Sequence, residues 1–396
     1  MTKQSSPPAG GHLRYYEQHG ISPVRYEIAD LDAHFDRRDS LYRSLGLPPA
    51  AFRGVRVLEV APGSGQNSLY VAACGPQSLD LVEPNPAARR DIEAAYTGFE
   101  RSHTVPTLHA ERLEAFEPPA TFDAVLCENW LGSLPYEVDL IGKIATLVAP
   151  GGLLVLTIVP FSGFFPNVMR RLLALRLIDP AMDFEEQTDH LVDIFGPHLA
   201  SIKDMTRSHR DWVQDCLLNP HYLNVALPLD RVLEAIGDEM EVLATLPCFT
   251  PEWRWFKGLT GSNRRFNELT NEAFRENTHN FVDYRETFAP REAEANEPLD
   301  AAFRAVHEAA FAWQAAYEDG ASQQMVAAND QIGDLLHDIN TGLAEIDSGL
   351  AEAINELLSV WSQPELNPAT VRDMQAFGAL FGRETVYVSF TRRNRE

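Results

Sequence analysis

Cysteine is scarce in this sequence: Cys74, Cys127, Cys216 and Cys248 are the four in 396 residues. None stands in C-x-x-C spacing, so neither a zinc motif nor a disulfide framework is indicated, and the four read as small buried hydrophobes in a reducing compartment. Positive charge is also short. With 33 Lys and Arg against 57 Asp and Glu, the net charge is -24 and the pI about 4.9. That balance argues against nucleic acid as the partner, because such binding rests on cations that neutralise phosphates. No apolar run reaches the roughly 18 residues of a membrane span. The N-terminal M-T-K-Q-S-S-P-P-A-G-G lacks an apolar signal core. These absences point to a cytoplasmic chain without nucleic-acid, membrane or metal partners. Hydrophobic residues, at 45%, suffice for a full core. The length allows two ordinary domains, or one domain with a large insertion.

The most informative stretch is V-R-V-L-E-V-A-P-G-S-G-Q-N-S-L, residues 55–69. Val55, Val57, Leu58 and Val60 read as a buried strand; Pro62, Gly63 and Gly65 force a tight turn, and a helical pattern starts near Gln66. A strand, a glycine-rich turn and a helix N-terminus form the ligand crevice of open α/β sheets. No Gly-Lys-Ser/Thr follows, which excludes the phosphate loop of nucleoside triphosphatases. Eighteen residues past Gly65, the run L-D-L-V-E-P carries Glu83 where a carboxylate can accept both hydroxyls of a ribose. An NAD site would share that acid, so an NAD-linked oxidoreductase stays open at this point.

The turn E-V-A-P-G-S-G, with Glu59 ahead of it, resembles the first motif of class I S-adenosylmethionine-dependent methyltransferases, with Ala61 in place of the usual first glycine. The following pieces keep that family's order: strands at 79–82, near 106–109 and at 124–127, helices over 66–73, 86–99 and 141–147, then the turn and strand A-P-G-G-L-L-V-L-T-I-V. The resemblance implies an α/β, Rossmann-like seven-stranded sheet with S-adenosyl-L-methionine as cofactor. It implies cofactor contacts from Glu59, Ala61, Pro62, Gly63, Ser64, Gly65, Glu83 and Pro84. It also implies that His109, Ala110 and Glu111 flank the adenine, and that Glu128 and Asn129 lie beside the methionine part. No N-P-P-Y-like or D-P-P-Y-like tetrapeptide stands at the fourth strand, where C-E-N-W is found; this too speaks against nucleic-acid methylation.

The longer pieces D-L-D-A-H-F-D-R-R-D-S-L-Y-R-S-L-G-L-P, M-T-R-S-H-R-D-W-V-Q-D-C-L-L-N-P and P-E-W-R-W-F-K resemble a group of bacterial class I methyltransferases of mostly unassigned substrate. That likeness implies a small-molecule acceptor, in glycan or secondary-metabolite biosynthesis. An oxygen or nitrogen acceptor can require a base, for which His109, His209, His221 and Glu128 are candidates. Arg207 and Arg210 suit a substrate carboxylate or phosphate, or a surface ion pair. Trp130, Trp212, Trp253 and Trp255 suit an aromatic pocket, or the core. A neutral acceptor such as a thioether needs no base, and a catalytically silent adenosylmethionine-binding scaffold is the alternative to an enzyme.

The expected organisation is a disordered tail over 1–12 and an N-terminal helical arm over 13–50, whose Tyr15, Tyr16, His19, Arg25 and Tyr26 form a lid over the cofactor or simply pack on the surface. The methyltransferase core with its pocket helices follows over 51–261, a helical insertion over 262–382, and the last strand over 383–396. The apolar and basic stretch 161–177 reads as a pocket wall or core. In the insertion, Ile332, Leu336, Ile339, Leu343 and Ile346 recur at helical spacing. Gly333, Gly342 and Gly349 interrupt that trace, so the block is a cap of antiparallel helices or a homodimer contact. The ending E-T-V-Y-V-S-F-T-R alternates as an antiparallel edge strand.

Overall fold

Parallel strands buried on both faces are near-continuous apolar runs, and the runs found in the sequence assemble in that way. The computed structural model describes residues 11–21, 28, 30–102, 104–132 and 135–394. Most of the expected tail, together with Arg25 and Tyr26 of the expected lid, lies outside the described residues; Gly11 and His12 begin a helix instead. The chain divides into two compact units, one of residues 1–158, 227–274 and 385–396, the other of residues 159–226 and 275–384.

The first unit holds the sheet. Its strands are β1 (Arg56–Val60), β2 (Ser78–Val82), β3 (Thr107–His109), β4 (Phe122–Cys127), β5 (Val148–Ile158), β6 (Met240–Leu246) and β7 (Val386–Arg392), in the order β3-β2-β1-β4-β5-β7-β6. The first five are parallel, and β7 runs antiparallel to both of its neighbours. The connecting helices are α1 (Gly11–His19), α2 (Leu31–Ser44), α3 (Ser68–Ala73), α4 (Pro86–Tyr96) and α5 (Pro135–Leu147). Register aligns the strand tips: Val60 lies opposite both Val82 and Cys127, so β1, β2 and β4 end together. The core beneath is closed by Tyr42, Phe52, Val57, Leu79, Ile92 and Leu126, all fully or almost fully buried.

The final strand corrects an expectation. Its alternation suggested an edge strand, but β7 lies between β5 and β6, and β6 forms the edge. Alternation marks one polar face; it does not report whether a neighbour sits on each side. Ser389 shows how the polar face is absorbed, its hydroxyl donating to the Leu45 carbonyl at 2.7 Å.

The second unit is helical: α6 (Phe161–Leu177), α7 (Phe184–Leu199) and α8 (His209–Trp212) come from the β5–β6 connection. In the sheet unit, α9 (Leu229–Ile236) packs on α5, and α10 (Phe266–Glu276) leads out of it. Then α11 (Ala293–Glu318), α12 (Ser322–Ala344), α13 (Ser348–Trp361) and α14 (Pro368–Arg372) complete the helical unit. The unit thus draws on two stretches of chain, where the sequence suggested one block over 262–382. Gly333 and Gly342 do not interrupt α12; a Cβ on Gly342 would stand 3.2 Å from Leu299 Cδ1 of α11, so the small residue serves the helix contact. Gly349 lies in the first turn of α13. Helix α6 is buried from Phe161 to Ala174, which makes it a core rod of its unit and excludes a membrane-surface role. Among the described residues no helix is long and apolar enough to cross a membrane.

Candidate functional site

The polypeptide leaves β1 at Val60 and turns at once. Ala61 takes φ 55°, Gly63 φ 57° and Gly65 φ 73°, a left-handed region that costs an L side chain about 1–2 kcal/mol. At Gly65 the requirement is double, because a Cβ there would come within 2.7 Å of Ile92 Cγ1. Asn129, beyond the tip of β4, is also left-handed, and its N–H donates to Thr157 Oγ1 at 2.7 Å. Backbone strain concentrated at adjacent strand tips is a mark of functional sites.

Three carboxylates stand at these tips. Glu83, after β2, is held by both oxygens: Gly63 N–H donates to Oε2 at 3.2 Å and Asn85 N–H to Oε1 at 2.8 Å. Burial pushes its pKa up to about 7, against the pull of those two N–H groups and of Arg89. Glu59, inside the end of β1, is 4% exposed, and its Oε2 has no hydrogen-bond partner among the described residues. Burial, reinforced by the charge of Glu128 and opposed by Arg38, raises it to about 8. Glu128, at the end of β4, receives Arg38 Nη2 at 2.7 and 2.8 Å and the Tyr42 hydroxyl at 2.8 Å.

Arg38 and Tyr42 lie four residues apart on α2, hence on one helical face. Asp30 starts that helix by accepting the Ala33 N–H at 2.9 Å. His34, one turn earlier, donates Nε2 to the Gln66 carbonyl at 3.1 Å, joining the helix to the glycine turn. Tyr42 stacks on Tyr70 at 5.7 Å, which fixes its ring. The sequence placed Arg38 and Tyr42 in the N-terminal helical arm and gave them no role at the site; the one available signal was an arginine in an otherwise core-facing stripe.

The remaining sequence-derived candidates separate. Pro62, Ser64 and Pro84 belong to the turns around Gly63 and Glu83, with the Ser64 hydroxyl 3.2 Å from Gln66 Oε1. His109, Ala110 and Glu111 follow β3. His109 pairs through Nε2 with Asp80 at 2.8 Å, its Nδ1 lies 3.7 Å from Glu111, and its ring meets Phe116 edge-on. Trp253 is 90% exposed, beyond the end of β6, and Trp255 is 68% exposed. Trp212 is buried in the helical unit. Arg207 and His221 also belong to that unit, where Arg207 pairs with Asp215 at 2.8 Å. Arg210 forms surface ion pairs with Glu185 and Asp189.

An open parallel sheet with one antiparallel strand at the sixth position, carrying an acid-then-glycine turn after β1 and an acid after β2, defines the class I methyltransferase fold. Residues 33–191 match the family model described as a methyltransferase domain. Over 136 residues the chain is 30% identical to the ubiquinone biosynthesis O-methyltransferase of Burkholderia multivorans, covering 34% of this chain and 50% of that protein. The chain thus spans about half the length of the curated relatives it matches. Among solved structures, N-methyltransferase NodS from Bradyrhizobium japonicum, in complex with S-adenosyl-l-homocysteine, is similar at 19% identity and a TM-score of 0.29. That match covers 37% of this chain and 74% of NodS. CalS10, an amino pentose methyltransferase from Micromonospora echinaspora, is similar at 24% identity and a TM-score of 0.25, over 34% of this chain and 56% of its own.

Proposed function

We propose that the chain transfers a methyl group from S-adenosyl-L-methionine to an oxygen, nitrogen or sulfur atom of a small-molecule acceptor. The observation that carries this reading is the set of strand-tip carboxylates around a glycine turn, within the segment that matches the methyltransferase-domain family. Glu59 supports it most directly. A buried carboxylate oxygen without a donor is costly, and a ligand with a cationic group and N–H donors removes that cost. Bound S-adenosylmethionine supplies a methyl group on a sulfonium leaving group, so transfer rests mainly on alignment and exclusion of water.

In this reading Glu83, preset by Gly63 and Asn85, accepts the two ribose hydroxyls. Gly63 and Gly65 let the backbone approach the ligand, with Ala61, Pro62, Ser64 and Pro84 shaping the turns. Ala110 and Glu111 flank the adenine beside His109, whose pairing with Asp80 suits it to a positioning role. Glu128 and Asn129 border the methionine part, and Arg38 with Tyr42 hold Glu128 in place. The O-methyltransferase relatives favour an oxygen acceptor. The acidic chain disfavours nucleic acid, free cysteines fit a cytoplasmic setting, and a homodimer through the helical unit is part of the same proposal.

Calorimetric titration with S-adenosylmethionine, S-adenosylhomocysteine and NAD tests the reading. Binding of both adenosyl ligands, abolished by Glu83→Ala, is expected. Preference for NAD, or no binding of the adenosyl ligands, overturns it.

A further inference from the structure

The helical unit hides a polar centre that the strand-tip site does not use. Helix α6 is buried, yet it carries Asn167, Arg170 and Arg171 at 4%, 0% and 1% exposure. Each arginine fixes one irregular segment. Arg170 Nη2 donates to the carbonyls of Phe377, Gly378 and Leu380 at 2.9, 3.0 and 2.9 Å, with its guanidinium 3.7 Å from the Phe381 ring centre. Arg171 donates Nη1 to the Leu217 carbonyl at 2.7 Å. Leu217 belongs to a π-helical turn, Val213–Leu218, within the W-V-Q-D-C-L-L-N-P stretch. Such turns are rare and frequent at functional sites. Close packing locks the other segment as well, since a Cβ on Gly382 would fall 2.0 Å from the Gly163 carbonyl oxygen.

Asn167, Tyr222 and Glu384 converge between these two fixed segments. The Tyr222 hydroxyl donates to Glu384 Oε2 at 3.2 Å, and Asn167 Nδ2 donates both to that oxygen and to the tyrosine oxygen, the latter at 3.2 Å. An ionised Glu384 assigns the Asn167 amide this orientation, because its own oxygen would repel the carboxylate. Two acceptors are then left over. Asn167 Oδ1 is buried without a partner among the described residues. Glu384 Oε1 has no hydrogen bond among the described residues, although the residue is partly exposed. Arg207, whose charge reaches Glu384, is already engaged with Asp215 at 2.8 Å. Burial raises the Glu384 pKa above the ordinary carboxylate value, against the donors Tyr222 and Asn167. A carboxylate set by two donors, beside a second empty acceptor, is preorganised for a ligand that brings donors of its own.

We propose that Asn167, Tyr222 and Glu384 form a recognition site for a hydrogen-bond-donating group, an amine or a hydroxyl, on a small molecule. It does not depend on the methyltransferase reading. Asn167 Oδ1 and Glu384 Oε1 accept the ligand's N–H or O–H groups, and Tyr222 and the Asn167 amide nitrogen orient the carboxylate.

The test uses the full chain saturated with S-adenosylhomocysteine and two probes. Catechol presents two adjacent O–H donors, and glucosamine an ammonium beside a hydroxyl. At least one probe is expected to bind by calorimetry and to raise the melting temperature. Glu384→Gln should weaken that probe about tenfold or more, and Tyr222→Phe by a smaller factor, with cofactor affinity held within about twofold. Binding of glucosamine alone assigns an amine, and of catechol alone a hydroxyl. The proposal is overturned if neither probe binds, or if one binds both variants as it binds the wild type. Loss of S-adenosylhomocysteine binding in the wild type would instead sink the methyltransferase reading, while the probe comparison on the cofactor-free chain still judges this site. Should Glu384→Gln fail to fold, Tyr222→Phe carries the comparison.

Discussion

Ala61 occupies a conformation that suits glycine, at the position where the resemblance leads one to expect glycine. Its φ of 55° stores strain, and Ala61→Gly removes that strain while adding backbone freedom to the unfolded chain. The two effects oppose, so the variant should be more stable by up to about 1 kcal/mol, read as a small rise in the urea midpoint. A clear loss of stability would mean that the alanine methyl packs usefully. Arg38 makes a stronger case. It is the cation holding Glu128, with Glu59 close enough for the two acids to raise each other's cost. Arg38→Met should destabilise the chain by about 3–5 kcal/mol, because it leaves a buried carboxylate unpaired. Tyr42→Phe, which removes one hydroxyl donor, should cost about 1 kcal/mol. Equal losses for the two would show that packing, and not charge, is what α2 contributes. Glu59, Gly63, Gly65 and Glu83 could be read from the sequence because strand, turn and acid are local in the chain. Arg38 and Glu128 are 90 residues apart, and no local pattern encodes a pairing that only sheet closure creates.

Elements were legible to the extent that their pattern was set by their own backbone. The five parallel strands were found within a few residues, since burial on both faces writes itself as an apolar run, whereas α5 begins at Pro135, well ahead of the expected 141. What needed a partner was not. The alternation of β7 said antiparallel, and the insertion of β7 between β5 and β6 depends on the sheet. Strand β6 stops at Leu246, and Trp253, Trp255 and Phe256 beyond it are exposed. Tryptophans in a sequence do not announce which side of the molecule they face. The glycine turn joins the two levels, because Gly65 has a conformational and a packing reason at once. Gly65→Ala should cost about 2–4 kcal/mol through left-handed strain together with overlap on Ile92. In a double-mutant cycle with Ile92→Ala the overlap part should be recovered as a coupling energy, and the strain part should remain. Full additivity would mean that α4 yields to the new methyl group without resistance.

The two compact units carry opposite pH liabilities. In the helical unit, burial lowers His198 and His307 to about 4. The hydrogen bond that each Nε2 donates to a carbonyl, of Val371 at 2.8 Å and of Leu223 at 2.7 Å, opposes that shift without cancelling it. As pH falls below the ordinary 6.5, the unfolded chain takes up these protons first, so stability drains away between about 6.5 and about 4, by at most about 3 kcal/mol per histidine. In the sheet unit the large carboxyl shifts run upward, Glu59 to about 8 and Glu83 and Glu137 to about 7, and outweigh the lowered His19, His34 and Glu241. The folded state there keeps protons that the unfolded chain has released, so stability falls as pH rises from about 4.5 towards about 8. Glu384 is the exception within the helical unit, its raised pKa opposing the histidines in part. Hydrogen exchange on the cofactor-free chain, corrected for intrinsic rates, should therefore show protection in α6, α11 and α13 falling from pH 7 to pH 5. Over the same change β1, β2 and β4 should hold or gain protection. His307→Gln, which keeps a neutral donor near the Leu223 carbonyl, should reduce the acid loss in the helical unit and leave the strands unchanged. If both units instead lose protection in parallel, they unfold as one cooperative body, and the buried histidines and carboxyls act on a single shared stability.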